Sequence, residues 1–158
     1  MLHDRRVIKG KPEGGKNKNF WVKILDKVID ATDHILGRIS SRIAKELLEG
    51  NKIVVINAGM AVITGNPKLT VENFRIKNRR GDPHHGPYYP KTITGIFKRS
   101  VRGMVPYKKA KGREALKRLS VYSDNPKKLK GNKEGKNISN LECRYITLAD
   151  VAKKLGGK

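Results

Sequence analysis

The sequence predicts an α/β domain in which helices flank a small, mostly parallel sheet. Three observations carry this: an apolar strand–helix–strand pattern over 28–56, further amphipathic helices over 67–119, and a charge concentrated in the second region. Val28–Asn66 is neutral, with Arg38, Arg42, Lys45 and Lys52 set against Asp30, Asp33, Glu46 and Glu49. Residues 67–119 hold fifteen Lys and Arg against only Glu72, Asp82 and Glu114, a net charge of +12.

Val28–Ala31 reads as a short strand, and Thr32 or Asp33 is placed to cap the helix after it. Leu36, Ile39, Ile43 and Leu47 recur at helical spacing, with Ala44 and Leu48 widening the stripe and Arg38, Arg42, Lys45, Glu46 and Glu49 on the wetter side. Gly50 takes the left-handed position that ends a helix. Ile53–Ile56 is apolar at every position, as expected of a strand buried on both faces of a parallel sheet. Two parallel strands joined through one helix imply a right-handed crossover. The strand ends at Asn57-Ala58-Gly59, where α/β sheets often bind ligands, but without a G-x-G-x-x-G motif the reading is a structural turn. Ala61–Thr64 offers a third strand. Asn66 and Pro67 then supply a cap and a first-turn proline for a second helix, with Leu69 and either Phe74 or Ile76 facing inward.

That helix runs into Lys77, Arg79 and Arg80, which open the candidate binding surface. GDPHHGPYYP at 81–90 is the least helical stretch of the chain. Adjacent histidines with one distant cysteine do not make a four-ligand metal site. The functional reading is a rigid loop that presents His84, His85, Tyr88 and Tyr89 to bases or sugars; packing of the tyrosines on the domain's own surface stays equally open. A helix over Ile93–Met104 puts Phe97, Val101 and Met104 on one face and Lys98, Arg99 and Arg102 elsewhere, and Pro106 bars its continuation. The loop YKKAKG carries Lys108, Lys109 and Lys111. A short helix over Arg113–Leu119 buries Ala115, Leu116 and Leu119 and exposes Arg113, Lys117 and Arg118, with Glu114 placed to pair with Arg118. Lys91, and Arg38 on the first helix, complete the candidate cations. So many bases with so few acids point to phosphates.

The whole chain sets bounds on function. It has 158 residues, 37% apolar, and a formal net charge of +22, which implies a polyanionic partner. Residues 1–25 read as a basic arm, 26–122 as the core and 123–158 as a basic extension, in which Arg144–Leu148 is extended and Leu148, Val151, Ala152 and Leu155 have helix spacing. Within the arm, GKPEGGKN approaches a phosphate-binding loop, but Asn17 stands where a hydroxyl would hold magnesium, so it reads as linker. A lone Cys143, no apolar run of bilayer length and no leader-like start lead to the expectation of an intracellular protein without a membrane partner.

Three stretches closely resemble, in order, the large-subunit ribosomal protein L-thirteen family: VIDATDHILGRISSRIAKELLEG (28–50), VVINAGMAVITGN (54–66) and VRGMVPYKKAKGREALKRLSVY (101–122). GDPHHGPYYP and RYITLADVAKKLGG (144–157) resemble its archaeal and eukaryotic branch. The resemblance implies a three-layer α/β/α domain that binds large-subunit rRNA early in assembly, with no catalytic activity, no cofactor and no small-molecule substrate. It also implies neighbouring ribosomal proteins as partners and a cytoplasmic place in the large subunit. By motif, RNA contact falls on Arg102, Gly103, Gly112, Arg113, Lys117 and Arg118. Two other classes fit the residues less well. A nucleotide-using α/β enzyme lacks a catalytic constellation, and a DNA-compacting protein would not prefer rRNA over duplex DNA at raised salt.

Overall fold

A computed structural model describes residues 27–82, 84–126, 128–132 and 142–157. Strand β1 (Lys27–Asp30), helix α1 (Leu36–Glu49) and strand β2 (Ile53–Ile56) form the expected unit, β1 pairing in parallel with β2 from Lys27 opposite Ile53 to Asp30 opposite Ile56. Next come a single 3-10 turn (Ala58–Met60), strand β3 (Val62–Thr64), helices α2 (Pro67–Arg79), α3 (Ile93–Met104) and α4 (Ala110–Lys117), and strand β4 (Leu119–Val121). Strand β5 (Tyr145–Thr147) and helix α5 (Leu148–Lys154) follow.

Strand β2 lies in the centre of a three-stranded parallel sheet of order β1-β2-β4, with Ile53 opposite Leu119 and Val55 opposite Val121. All four of its residues are buried. Ile29, Ile53 and Val55 join a cluster with Ile39, Ile43 and Leu47 of α1 and Phe97 and Val101 of α3, and α1 and α3 pack against each other. Val54 and Ile56 on the other face are buried too, Ile56 lying close against Gly131. The edge of β1 is extended by Asn132, which exchanges backbone hydrogen bonds with Val28 and Asp30. The fold class is therefore α/β with a small parallel sheet, as the residues predict.

Local chemistry explains where elements begin and stop. Gly50 ends α1 at φ 108°, and its N–H donates to the Leu47 carbonyl. Asn66 caps α2 by accepting from the Lys68 N–H at 3.1 Å, ahead of Pro67 in the first turn. The expected cap on α1 is not made. The Thr32 N–H (3.0 Å) and hydroxyl (2.6 Å) both donate to Asp30 Oδ1, Asp33 takes a left-handed φ of 59°, and the helix starts only at Leu36. Asn57 donates a third hydrogen bond to the same oxygen at 3.0 Å. The carboxyl end of β1 and β2 is thus closed by a polar knot, which makes Asn57-Ala58-Gly59 the structural turn expected of it.

Three expectations change. Ala61–Thr64 does supply a strand, but β3 pairs antiparallel with β5 in a separate two-stranded sheet, and β4 takes the third place beside β2. Leu119, expected on a helix, opens that strand, while α4 begins three residues before Arg113. On α2 only Val71 is buried; Leu69 is 62% exposed, and Phe74 is the half-buried partner. The chain's last elements belong to the core, with Leu148 and Val151 fully buried. The arm 1–25 and its GKPEGGKN stretch lie outside the described residues.

Phe97→Ala, which empties the centre of the helix–sheet contact, should cost about 3–5 kcal/mol in denaturant unfolding of the isolated protein. Leu69→Ala should stay within about 0.5 kcal/mol.

Candidate nucleic-acid interface

A hydrogen-bonded turn joins Asp82 to Gly86. Asp82 and Gly86 exchange two backbone hydrogen bonds (3.2 and 2.9 Å), and Asp82 Oδ1 accepts from the His84 N–H at 2.9 Å. Gly81 (φ 129°) and Gly86 (φ 77°) take conformations closed to most side chains, and the Gly86–Pro87 bond is cis. The turn leaves His84 and His85 exposed at its tip, His85 Nδ1 lying 3.3 Å from Asp82 Oδ2. The two tyrosines then part. Tyr88 is 66% exposed, whereas Tyr89 packs edge-on to Phe74 (6.2 Å) beneath the Arg99 guanidinium (4.6 Å). Tyr88 thus faces solvent while Tyr89 packs on the domain itself.

Helix α3 is capped by the Thr92 hydroxyl, which accepts from the Gly95 N–H at 3.3 Å. Because Phe97 and Val101 are buried, Lys98 and Arg102 project outward, with Arg99 beside them. Arg99 also donates to the Tyr88 carbonyl at 3.3 Å, and the Arg102 guanidinium lies 4.2 Å over the Tyr107 ring. These three cations border a cleft of about 260 Å³ whose other walls are Pro90, Gly95, Leu116 and Leu119.

Lys108, Lys109, Lys111, Arg113 and Lys117 are exposed along the turn into α4 and on α4 itself, with no carboxylate partner among the described residues. Two of the candidate RNA-contact residues of this stretch face inward instead. Gly112 is buried, and a methyl group on it would collide with the Pro106 carbonyl. Arg118 donates from Nη2 to the Leu47 carbonyl at 2.8 Å, tying the end of α4 to the last turn of α1, rather than pairing with Glu114. Its Nε is shut away from solvent. Gly103 is the opposite case: it is exposed, and beyond its chain neighbours and its own helix backbone no described atom lies within 4 Å of where a side chain would begin.

A second group of cations surrounds α2. Arg75, Asn78, Arg79, Lys91, Lys154 and Leu155 border one groove, and Lys77 sits 5.4 Å over the Phe74 ring. Arg80 shares another groove with Tyr88 and Tyr89. Lys68, Arg75 and Lys154 are cations on this side that sequence reasoning left out of the site; only the packing of α5 near α2 brings Lys154 there. Within the segment, Arg75 pairs with Glu72 at 3.7 Å. Arg38 is exposed on α1 and borders none of these grooves. Among the described residues, no group of three or more His, Cys, Asp or Glu is placed to hold a metal ion, and no helix is long and apolar enough to cross a membrane.

Such a surface can neutralise and grip a polyanion. Residues 26–128 match the family described as Ribosomal protein L13. The chain is 46% identical over 136 residues to the large ribosomal subunit protein uL13 of Archaeoglobus fulgidus, covering 82% of this chain and 86% of that one. It is 44% identical to the protein of the same name from Picrophilus torridus (81% and 95% covered) and from Methanosarcina barkeri (83% and 98%).

Arg118→Ala should lower stability by about 1–3 kcal/mol in thermal or denaturant unfolding, because it strips a carbonyl of its charged donor. Lys117→Ala, one residue away and exposed, should change it by less than about 0.5 kcal/mol.

Proposed function

Because the chain belongs to the ribosomal protein L13 family, in its archaeal branch, we propose that it binds large-subunit rRNA through the basic surface of α2, α3 and α4 and supports subunit assembly. It is a structural, non-enzymatic constituent of the large ribosomal subunit, located in the cytoplasm as part of the ribosome. The observation that carries the rRNA reading is the set of exposed cations at Lys98, Arg102, Lys108, Lys109, Lys111, Arg113 and Lys117, for which the described residues supply no carboxylate partner. Lysine and arginine side chains there displace the counterions condensed on the RNA, and the released ions drive association. Arginine adds a planar fork that grips a phosphate through two hydrogen bonds.

Specificity comes from RNA shape and unpaired nucleotides, because the major groove of A-form RNA is too deep and narrow for side chains to read. The exposed His84, His85 and Tyr88 supply rings for such contacts, with Lys77, Arg79, Arg80 and Lys91 on the flanks. Gly103 has a part as well. A glycine within a helix costs about 1 kcal/mol relative to alanine, and here the domain's own packing gives no reason for it. An RNA backbone passing close to α3 beside Arg102 does. Gly112 and Arg118 serve the interface indirectly, by setting the pose of α4. Residues 1–25 act as a basic arm and 123–158 as a basic extension whose last strand and helix pack into the core, both contacting rRNA and neighbouring ribosomal proteins.

Arg102→Glu or Arg113→Glu should weaken binding to large-subunit rRNA by roughly tenfold or more at moderate salt and flatten the salt dependence, with little change in unfolding temperature. Equal affinity for the native and charge-reversed proteins would contradict the reading. Gly103→Ala should stabilise the free protein by up to about 1 kcal/mol while weakening rRNA binding. Unchanged affinity in that variant would remove Gly103 from the interface.

A further inference from the structure

We propose that the cleft between α3, α4 and the Tyr88–Pro90 segment seats one unpaired nucleotide of the bound RNA, its phosphate on the cationic rim and its base on the apolar floor. The inference rests on the RNA-binding reading and narrows it to a site and a ligand.

The rim and floor ask for different chemistry. Lys98, Arg99 and Arg102 supply the rim, and no carboxylate borders the cleft. Pro90, Leu116 and Leu119 supply the floor. A duplex offers phosphates and 2′-hydroxyls at its surface but keeps its base faces stacked, so it would satisfy the rim and leave the floor in water. An unstacked nucleotide carries a flat apolar face within reach of its own phosphate, and so answers both.

Size and rigidity agree. The cleft, at about 260 Å³, falls just below the roughly 300–1,000 Å³ of sites for drug-sized molecules. It has room for one base and not a stacked run. Two of the rim groups are held in place beforehand: Arg99 by the Tyr88 carbonyl and the Tyr89 ring, Arg102 by the Tyr107 ring. Side chains already ordered lose less freedom when a ligand arrives. The floor is held as well, since α3 approaches the loop so closely at Gly95 that a methyl there would stand 2.6 Å from Pro90 Cβ. A carboxylate-rich peptide could engage the same rim, but nothing in it requires an apolar floor.

The test is a methyl and amide NMR titration of the full-length protein with 5′-AMP, ribose 5-phosphate, inorganic phosphate and a hexaglutamate peptide. Saturable shifts at the Leu116 and Leu119 methyls with 5′-AMP, absent with ribose 5-phosphate and phosphate, are expected. Equal shifts with ribose 5-phosphate, or none with 5′-AMP, would overturn the proposal, and stronger shifts from the peptide would replace the nucleotide with an acidic protein segment. Leu116→Glu should abolish the 5′-AMP shifts and reduce affinity for large-subunit rRNA by roughly tenfold, with amide signals elsewhere unmoved; the titration of the unaltered protein stands whether or not this variant folds. If the unaltered protein fails to bind rRNA at all, the broader reading falls. If it binds rRNA but cannot tell 5′-AMP from phosphate, only the cleft falls.

Discussion

Strand β2 is hydrogen-bonded on both edges and buried on both faces, and the binding surface takes its shape from that strand. Pairing Ile53 with Leu119 places β4, and with it the end of α4, against the sheet. Leu119 thereby becomes both a strand residue and part of the cleft floor, and Arg118 comes within reach of the Leu47 carbonyl at the end of α1. Helix α3 is held on the same core by Phe97 and Val101, so its outer cations keep a fixed distance from Leu116. A weakened sheet would leave the charge of the surface intact and remove its geometry.

This division explains what the residues reveal unaided. Patterns that repeat locally were legible: the β1–α1–β2 unit, the Asn66–Pro67 start of α2 and the span of α3 follow from periodicity, caps and breakers. Pairing between distant segments was not. Leu119–Val121 is too short to show an alternation, and its parallel partner lies more than sixty residues earlier, so the preceding helical pattern claimed Leu119. The same holds for β3, whose strand character is evident while its antiparallel partner β5 is not. Thr32 has the chemistry of a helix cap, but the nearer Asp30 carboxylate takes both its amide and its hydroxyl. The expectation at Leu69 failed because helical spacing gives a stripe without saying which side meets the core.

For the candidate interface, composition points to a polyanion and the fold sorts its residues by exposure. Fifteen bases against three acids in 67–119 read as a polyanion surface without any structure. The residues within it are not equivalent. Gly112 and Arg118 share a motif with Arg113 and Lys117, yet the first two hold α4 and the others face outward. Tyr88 and Tyr89 are adjacent and chemically alike, yet Tyr88 is the more exposed while Tyr89 packs on Phe74. Lys154, seven-and-seventy residues from Lys77 along the chain, reaches the α2 side through tertiary packing alone.

The account's central claim is that this basic surface embeds the protein in large-subunit rRNA. Sedimentation of tagged protein from a cell lysate through a sucrose gradient, repeated after a high-salt wash, tests it most directly. The account predicts co-migration with large subunits that survives the wash, since shape and stacking contacts add to the screened electrostatic attraction. Absence from ribosomal fractions in both runs would contradict it.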